Sequence, residues 1–120
     1  PPRPGEMLQE GMAGAYAGYS NGVLLLAGGA CFPGARARAE VGRWYAHEGL
    51  TKVWNTEVYA LVGRTWKIAG ALPTGLAYGA RFQLPAGVLI VGGEDAERRA
   101  RGDVFLMRWD GTKVIVSDRI

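Results

Sequence analysis

The run Leu24-Leu25-Leu26-Ala27-Gly28-Gly29 returns 64 residues later as Val88-Leu89-Ile90-Val91-Gly92-Gly93. Each run reads as a short apolar strand ending in two glycines. A strand and a turn precede each one: residues 12–20 with Asn21-Gly22, then residues 77–84 with Pro85-Ala86-Gly87. Two more strands follow each one, over 55–61 and 65–70 in the first copy and over 102–109 and 112–118 in the second. Asn-Gly and Asp-Gly between alternating apolar residues are strong signals for two-residue hairpin turns. Asn21-Gly22 and Asp110-Gly111 are expected to be such turns, and Val62-Gly63-Arg64 to join the last two strands of the first copy. The pattern therefore predicts two consecutive four-stranded antiparallel meanders, with Pro73 in the link between them.

The copies differ in length. Their third strands, marked by Val58 and Val104, lie only 46 residues apart. The missing 18 residues locate an insertion in the first copy, over 30–52. Within it, Ala35-Arg36-Ala37-Arg38-Ala39-Glu40 follows Pro33-Gly34 and predicts a turn or two of helix. Trp44 and Tyr45 give this loop apolar content that a disordered segment lacks. The expected organisation is the end of a preceding unit over 1–11, one meander over 12–70 and a second over 71–120. Repeats of this kind, at a period of roughly 40–50 residues, build propellers or solenoids by stacking, and three or more are usually needed. An all-β propeller with two four-stranded blades is the expected fold, and the chain is expected to be part of a larger ring.

Composition supports the strands. The chain has 120 residues, 48% hydrophobic and 21% charged, with 19 glycines that favour tight turns over helices. The net charge is +3, but the arginines are scattered along the chain, so no nucleic-acid stripe is expected. No apolar stretch approaches the roughly 18–20 residues of a membrane helix. The start, Pro1-Pro2-Arg3-Pro4-Gly5, reads as a turn-rich linker and not as a signal peptide. The single cysteine, Cys31, allows no internal disulfide, which fits a reducing compartment or a periplasm-like one where no bridge is used. One His and one Cys supply no metal-ligand cluster, which argues against a metal-dependent carbohydrate-oxidising propeller. The Gly-Gly pairs are not phosphate loops, because no helix opening with Lys-Ser/Thr follows them.

Leu-Leu-Ala-Gly-Gly followed by Val-Tyr-Ala-Leu and Thr-Trp resembles a kelch motif. More specific is the block Tyr45-Ala46-His47-Glu48-Gly49-Leu50-Thr51-Lys52, with Phe32-Pro33-Gly34 ahead of it and Gly75-Leu76-Ala77-Tyr78-Gly79 behind. With Ala17-Gly18-Tyr19-Ser20-Asn21, these residues resemble the C-terminal part of the bacterial N-acetylneuraminate epimerases, also called sialic acid mutarotases. The resemblance implies a six-bladed kelch propeller of which this chain holds two blades, and a periplasmic location. It implies interconversion of sialic acid anomers, with no metal or organic cofactor. The family's proposed catalytic glutamate and its nearby arginine belong to an earlier blade, and no residue here corresponds to them. The chain alone is expected to be inactive. Where a kelch strand opens with Gly-Arg, this one has Gly75-Leu76, and Arg81 is the cation left on that strand.

Ring opening and closure at an anomeric carbon need a base for the anomeric hydroxyl, an acid for the ring oxygen and a cation for the carboxylate. Histidine is the residue type that titrates nearest neutrality. His47 and Glu48 are the candidate pocket residues, with Tyr45 beside them, and Arg36 and Arg81 are candidate carboxylate partners. The plainer reading gives His47 and Glu48 a structural role, with Glu48 paired to Lys52 or Arg43. Glu94, Asp95, Arg98, Arg99 and Arg101 read as a solvated loop. Tyr16, Tyr19, Tyr59, Tyr78 and Phe105 read as packing between blades, and Trp66 as a core anchor. A non-catalytic kelch module that binds a glycan or a protein is the rival class. The missing blades are expected either on the same polypeptide or from three copies of this chain closing one ring.

Overall fold

The structure, a computed structural model, describes residues 1–3, 10–43 and 45–118. Strands β1 (Tyr16–Ser20), β2 (Val23–Ala27), β5 (Glu57–Val62) and β6 (Thr65–Ala71) form one sheet in that order. Strands β7 (Ala80–Leu84), β8 (Gly87–Glu94), β9 (Ala100–Trp109) and β10 (Val114–Ser117) form the second. All neighbouring pairs in both sheets are antiparallel. Between β2 and β5 lie a two-stranded ladder, β3 (Ala30–Cys31) with β4 (Val53–Trp54), and the helix α1 (Ala35–Glu40). The two meanders are two blades of a β-propeller.

Turn chemistry sets the registers. Asn21 and Gly22 both have positive φ, 49° and 76°, as a two-residue type I′ turn requires, and Ser20 pairs with Val23 across it. Gly63-Arg64 closes β5 to β6 with Val62 opposite Thr65, one residue tighter than the expected Val62-Gly63-Arg64. Asp110-Gly111 is not a two-residue turn. The Asp110 Oδ1 accepts the N–H groups of Thr112 and Lys113, both at 2.8 Å, and so draws residues 110–113 into a four-residue loop. The first strand of each blade is also shorter than expected. Gly14 and Tyr78, 64 residues apart, sit in left-handed conformation at φ 67° and 66°. These kinks leave Ala13 and Ala77 in isolated bridges to Ala30 and Glu94 instead of in the strands.

The core lies in the seam between the two sheets. From the first sheet come Tyr16, Leu25, Ala27, Val58 and Ala60, and from the second Val88, Ile90, Phe105, Met107, Trp109 and Val114. Alternation along the strands places these residues on facing sides. Each fully buried Leu, Ile or Val contributes about 1.5–3 kcal/mol relative to exposure. Gly18 lets the sheets close together, because a Cβ there would meet the Val88 side chain at 2.6 Å. Polar side chains stitch the same seam. The Ser20 hydroxyl accepts the Trp109 N–H at 2.9 Å, and the Asn21 side-chain amide donates to the Trp109 carbonyl at 2.7 Å. The Gln83 amide binds both the N–H and the carbonyl of Tyr19 at 2.7 Å.

The outer faces are left open. Tyr19 and Tyr78, expected to pack between blades, are 57% and 51% exposed, whereas Tyr16, Tyr59 and Phe105 are buried. Trp66 is not a core anchor. It stands on the flank of the first sheet that faces away from the second, half-buried beside Pro1, Met12, Leu26 and Tyr59 around a cavity of about 130 Å³. Ile68 and Phe82 are exposed on the opposite outer flanks of the pair.

Candidate functional site

Antiparallel order gives the blades two unlike ends. The short hairpins at 21–22, 63–64, 85–86 and 110–113 share one end. The insertion, the link between blades over 72–79 and the β8–β9 loop over 95–99 share the other. At this loop end the β3–β4 ladder lifts the insertion off the first blade, with the Asn55 N–H donating to the Gly29 carbonyl at 2.8 Å. The helix forms over the predicted residues. The N–H groups of Gly34 and Arg36 at its start donate to the Glu10 carboxylate at 3.1 and 3.2 Å, which suits the positive end of the helix.

The insertion brings Tyr45, His47 and Glu48 together. Among the described residues they line an open concavity of about 310 Å³. Tyr45 has φ 54° and is 74% exposed. The His47 ring packs at 51° to Phe32 with centroids 5.2 Å apart, and the Glu48 carbonyl accepts Arg38 Nη1 at 2.6 Å. The main chain is tightened by N–H bonds from Glu48 to Tyr45 and from Leu50 to His47, at 2.9 and 3.0 Å. Arg36 and Arg81 do not join this group. Arg36 pairs with Glu40 one helical turn on, at 3.3 Å, and Arg81 is exposed on β7 opposite Ile90. Trp44 lies outside the described residues.

Lys52 does not pair with Glu48. Its Nζ lies 3.5 Å from Glu94 Oε1 and over the rings of Trp54 and Tyr78, 4.6 and 4.7 Å from their centroids. Trp54 Nε1 donates to the same Glu94 oxygen at 3.2 Å. The repeat places Tyr78 where the first copy has Gly14, at a left-handed residue that costs a non-glycine about 1–2 kcal/mol.

The charged β8–β9 loop is only partly solvated. Asp95 is 1% exposed and closes the loop from inside. Its Oδ1 accepts the N–H groups of Glu97 and Arg99 at 3.0 Å, and its Oδ2 accepts Arg99 Nε at 3.3 Å and Arg101 Nη1 at 3.2 Å. The Arg99 main-chain bond, then the Arg101 guanidinium, hold the Asp95 carboxyl below its ordinary pKa against the opposing effect of burial. Arg101 grips Asp103 with two nitrogens, at 2.6 and 3.3 Å, and lowers that carboxyl as well. Tyr16 holds the seam at this end. Its hydroxyl donates to the Gly92 carbonyl at 2.8 Å and accepts the Gly79 N–H at 3.1 Å, and burial pushes its pKa up.

Four-stranded antiparallel blades stacked through a Gly-Gly second strand, with their long loops gathered at one end, define a kelch-type β-propeller protein. The sequence profile described as N-acetylneuraminate epimerase matches residues 1–116. The chain belongs to that family. An N-acetylneuraminate epimerase of Brucella melitensis is 54% identical over 118 residues, covering 98% of this chain and 30% of the relative. One from Vibrio cholerae is 47% identical over 111 residues, covering 92% of this chain and 29% of the relative. The solved structure of YjhT matches with a TM-score of 0.88 at 38% identity, over 93% of this chain and 32% of that one. The chain thus spans about 30% of the length of the curated relatives it matches.

Proposed function

We propose that the polypeptide carrying these two blades interconverts the anomers of N-acetylneuraminate, and that this chain forms part of the funnel wall without the catalytic glutamate. The observation that carries the reading is the 54% identity, across 98% of the chain, to a protein named for that reaction. The sugar meets the loop end, where Tyr45, His47 and Glu48 face a common opening. In this reading His47 or Glu48 contacts the sugar or orders the pocket. Arg36, paired with Glu40, and Arg81, apart on β7, stand outside this group, so the cation for the carboxylate comes from elsewhere in the ring. A base takes the anomeric hydroxyl proton as the ring C–O bond opens, and an acid protonates the ring oxygen. Reclosure on the other face reverses these steps, so the chemistry calls for no cofactor.

The remaining blades of a six-bladed ring come from the same polypeptide or from two further copies of this chain. The open flanks support this. Ile68 and Phe82 are exposed there, and Glu57, on the flank shared with Tyr59, has a buried Oε2 without a hydrogen-bond partner among the described residues. A neighbouring blade would cover the apolar residues and supply a donor to that carboxylate. Location in the periplasm belongs to the same reading.

The test is proton NMR of sialic acid mixed with the full polypeptide. Exchange between anomers should run well above the rate in buffer alone. An unchanged rate removes the enzyme and leaves a glycan- or protein-binding kelch module. Replacing His47 with Ala should slow the exchange while the fold persists.

A further inference from the structure

Lys52 is the first residue on the insertion side of the β3–β4 ladder, since its neighbour Val53 pairs with Cys31. Its ammonium group sits in a box whose walls come from three places. Trp54 belongs to the returning strand β4, Tyr78 to the link between blades and Glu94 to the end of β8 in the second blade. The Lys52 side chain is only 20% exposed, so its attraction to the two rings and the carboxylate is less screened than at an open surface. The Trp54 bond to Glu94 fixes one wall against another. The backbone of Tyr78 is tied in turn to the first blade, its N–H donating to the Gly14 carbonyl at 2.9 Å. The chain keeps a tyrosine in a left-handed conformation at this point, φ 66°, where the other copy uses glycine. That choice makes sense if the ring is needed over Lys52.

We propose that Lys52 is a positioning residue for the insertion. Gripped by Trp54, Tyr78 and Glu94, it sets the stance of residues 45–50 against the second blade, and so the place where Tyr45, His47 and Glu48 meet a sugar. The second half of this statement rests on the reading of those three residues as pocket lining.

The experiment compares Lys52→Met and Lys52→Arg in the full polypeptide. The first readout is hydrogen exchange at the amides of Glu48 and Leu50. In Lys52→Met their exchange should speed up on the order of tenfold, as for a local opening, while the amides of β8 stay protected. Lys52→Arg keeps a cation that stacks and pairs, and should restore most of the protection. Tyr78→Gly removes one wall but keeps the left-handed backbone, and should loosen the same amides. The second readout is anomer exchange, in which Lys52→Met should raise KM on the order of tenfold with a smaller effect on kcat. Unchanged exchange at Glu48 and Leu50, or equal behaviour of the Met and Arg variants, overturns the proposal. So does an active enzyme whose amides loosen while KM stays fixed, since Lys52 would then serve stability alone. If wild type shows no anomer exchange but the amides respond as expected, the positioning of the insertion by Lys52 stands and the enzymatic reading falls.

Discussion

Replacing the Tyr16 hydroxyl by hydrogen isolates one polar link in the seam. Tyr16→Phe leaves the Gly79 N–H and the Gly92 carbonyl without their shared partner. The loss should be about 1–3 kcal/mol, the range for a buried hydrogen-bonding group left unpaired, read from the urea midpoint of the full polypeptide. The raised pKa of Tyr16 has a defined sign. Its contribution is complete below the ordinary tyrosine value near 10 and is lost as pH rises through the higher folded value. Asp95 works in the opposite direction. Its lowered carboxyl contributes fully above the ordinary aspartate value near 3.9, and the contribution is lost as pH falls through the lower folded value. Asp95→Asn should lower Tm at neutral pH and flatten the acid limb of a Tm-against-pH curve. A neutral amide cannot hold Arg99 and Arg101 as the carboxylate does.

At the scale of elements, the β1–β2 hairpin carries two dependencies on one residue. Asn21 sits at φ 49° and its amide reaches the Trp109 carbonyl in the other blade. Asn21→Ala should cost about 1–2 kcal/mol from the left-handed backbone alone, seen as a lower urea midpoint, whereas Asn21→Gly should lose only the side-chain bond. This hairpin was legible in the sequence because its turn chemistry is local. The order and antiparallel pairing of all eight blade strands followed from the same kind of signal, repeated at 64 residues for the Gly-Gly strands and at 46 for the third strands. The Asp110 loop was misread because a side chain competes there with the ladder for two N–H groups, and Asp-Gly alone does not reveal the competition. The Lys52 box was invisible for a different reason. Lys52, Trp54, Tyr78 and Glu94 meet only when two blades stack, and no spacing along the chain encodes that meeting. Asp95 was misread for want of burial, since a sequence shows a charge but not the interior it points into. The grouping of Tyr45, His47 and Glu48 was readable because all three lie within one short loop.

For the whole molecule, the open flanks govern behaviour in solution. Ile68 on one and Phe82 on the other are 42% and 53% exposed. Apolar side chains exposed on an uncovered sheet flank favour association. The 120-residue chain by itself should therefore sediment as more than a monomer, and Ile68→Lys should shift it toward one. A discrete species of three chain masses would favour ring closure by copies. A monomer or a broad distribution would leave the additional blades to the same polypeptide.

The separation of the ends has a practical side. A dye, a bead linker or an epitope grafted into Gly63-Arg64 would be planted on the pole remote from the insertion. An array immobilised through that hairpin would present every molecule with the same side up, its insertion and the link between blades unobstructed.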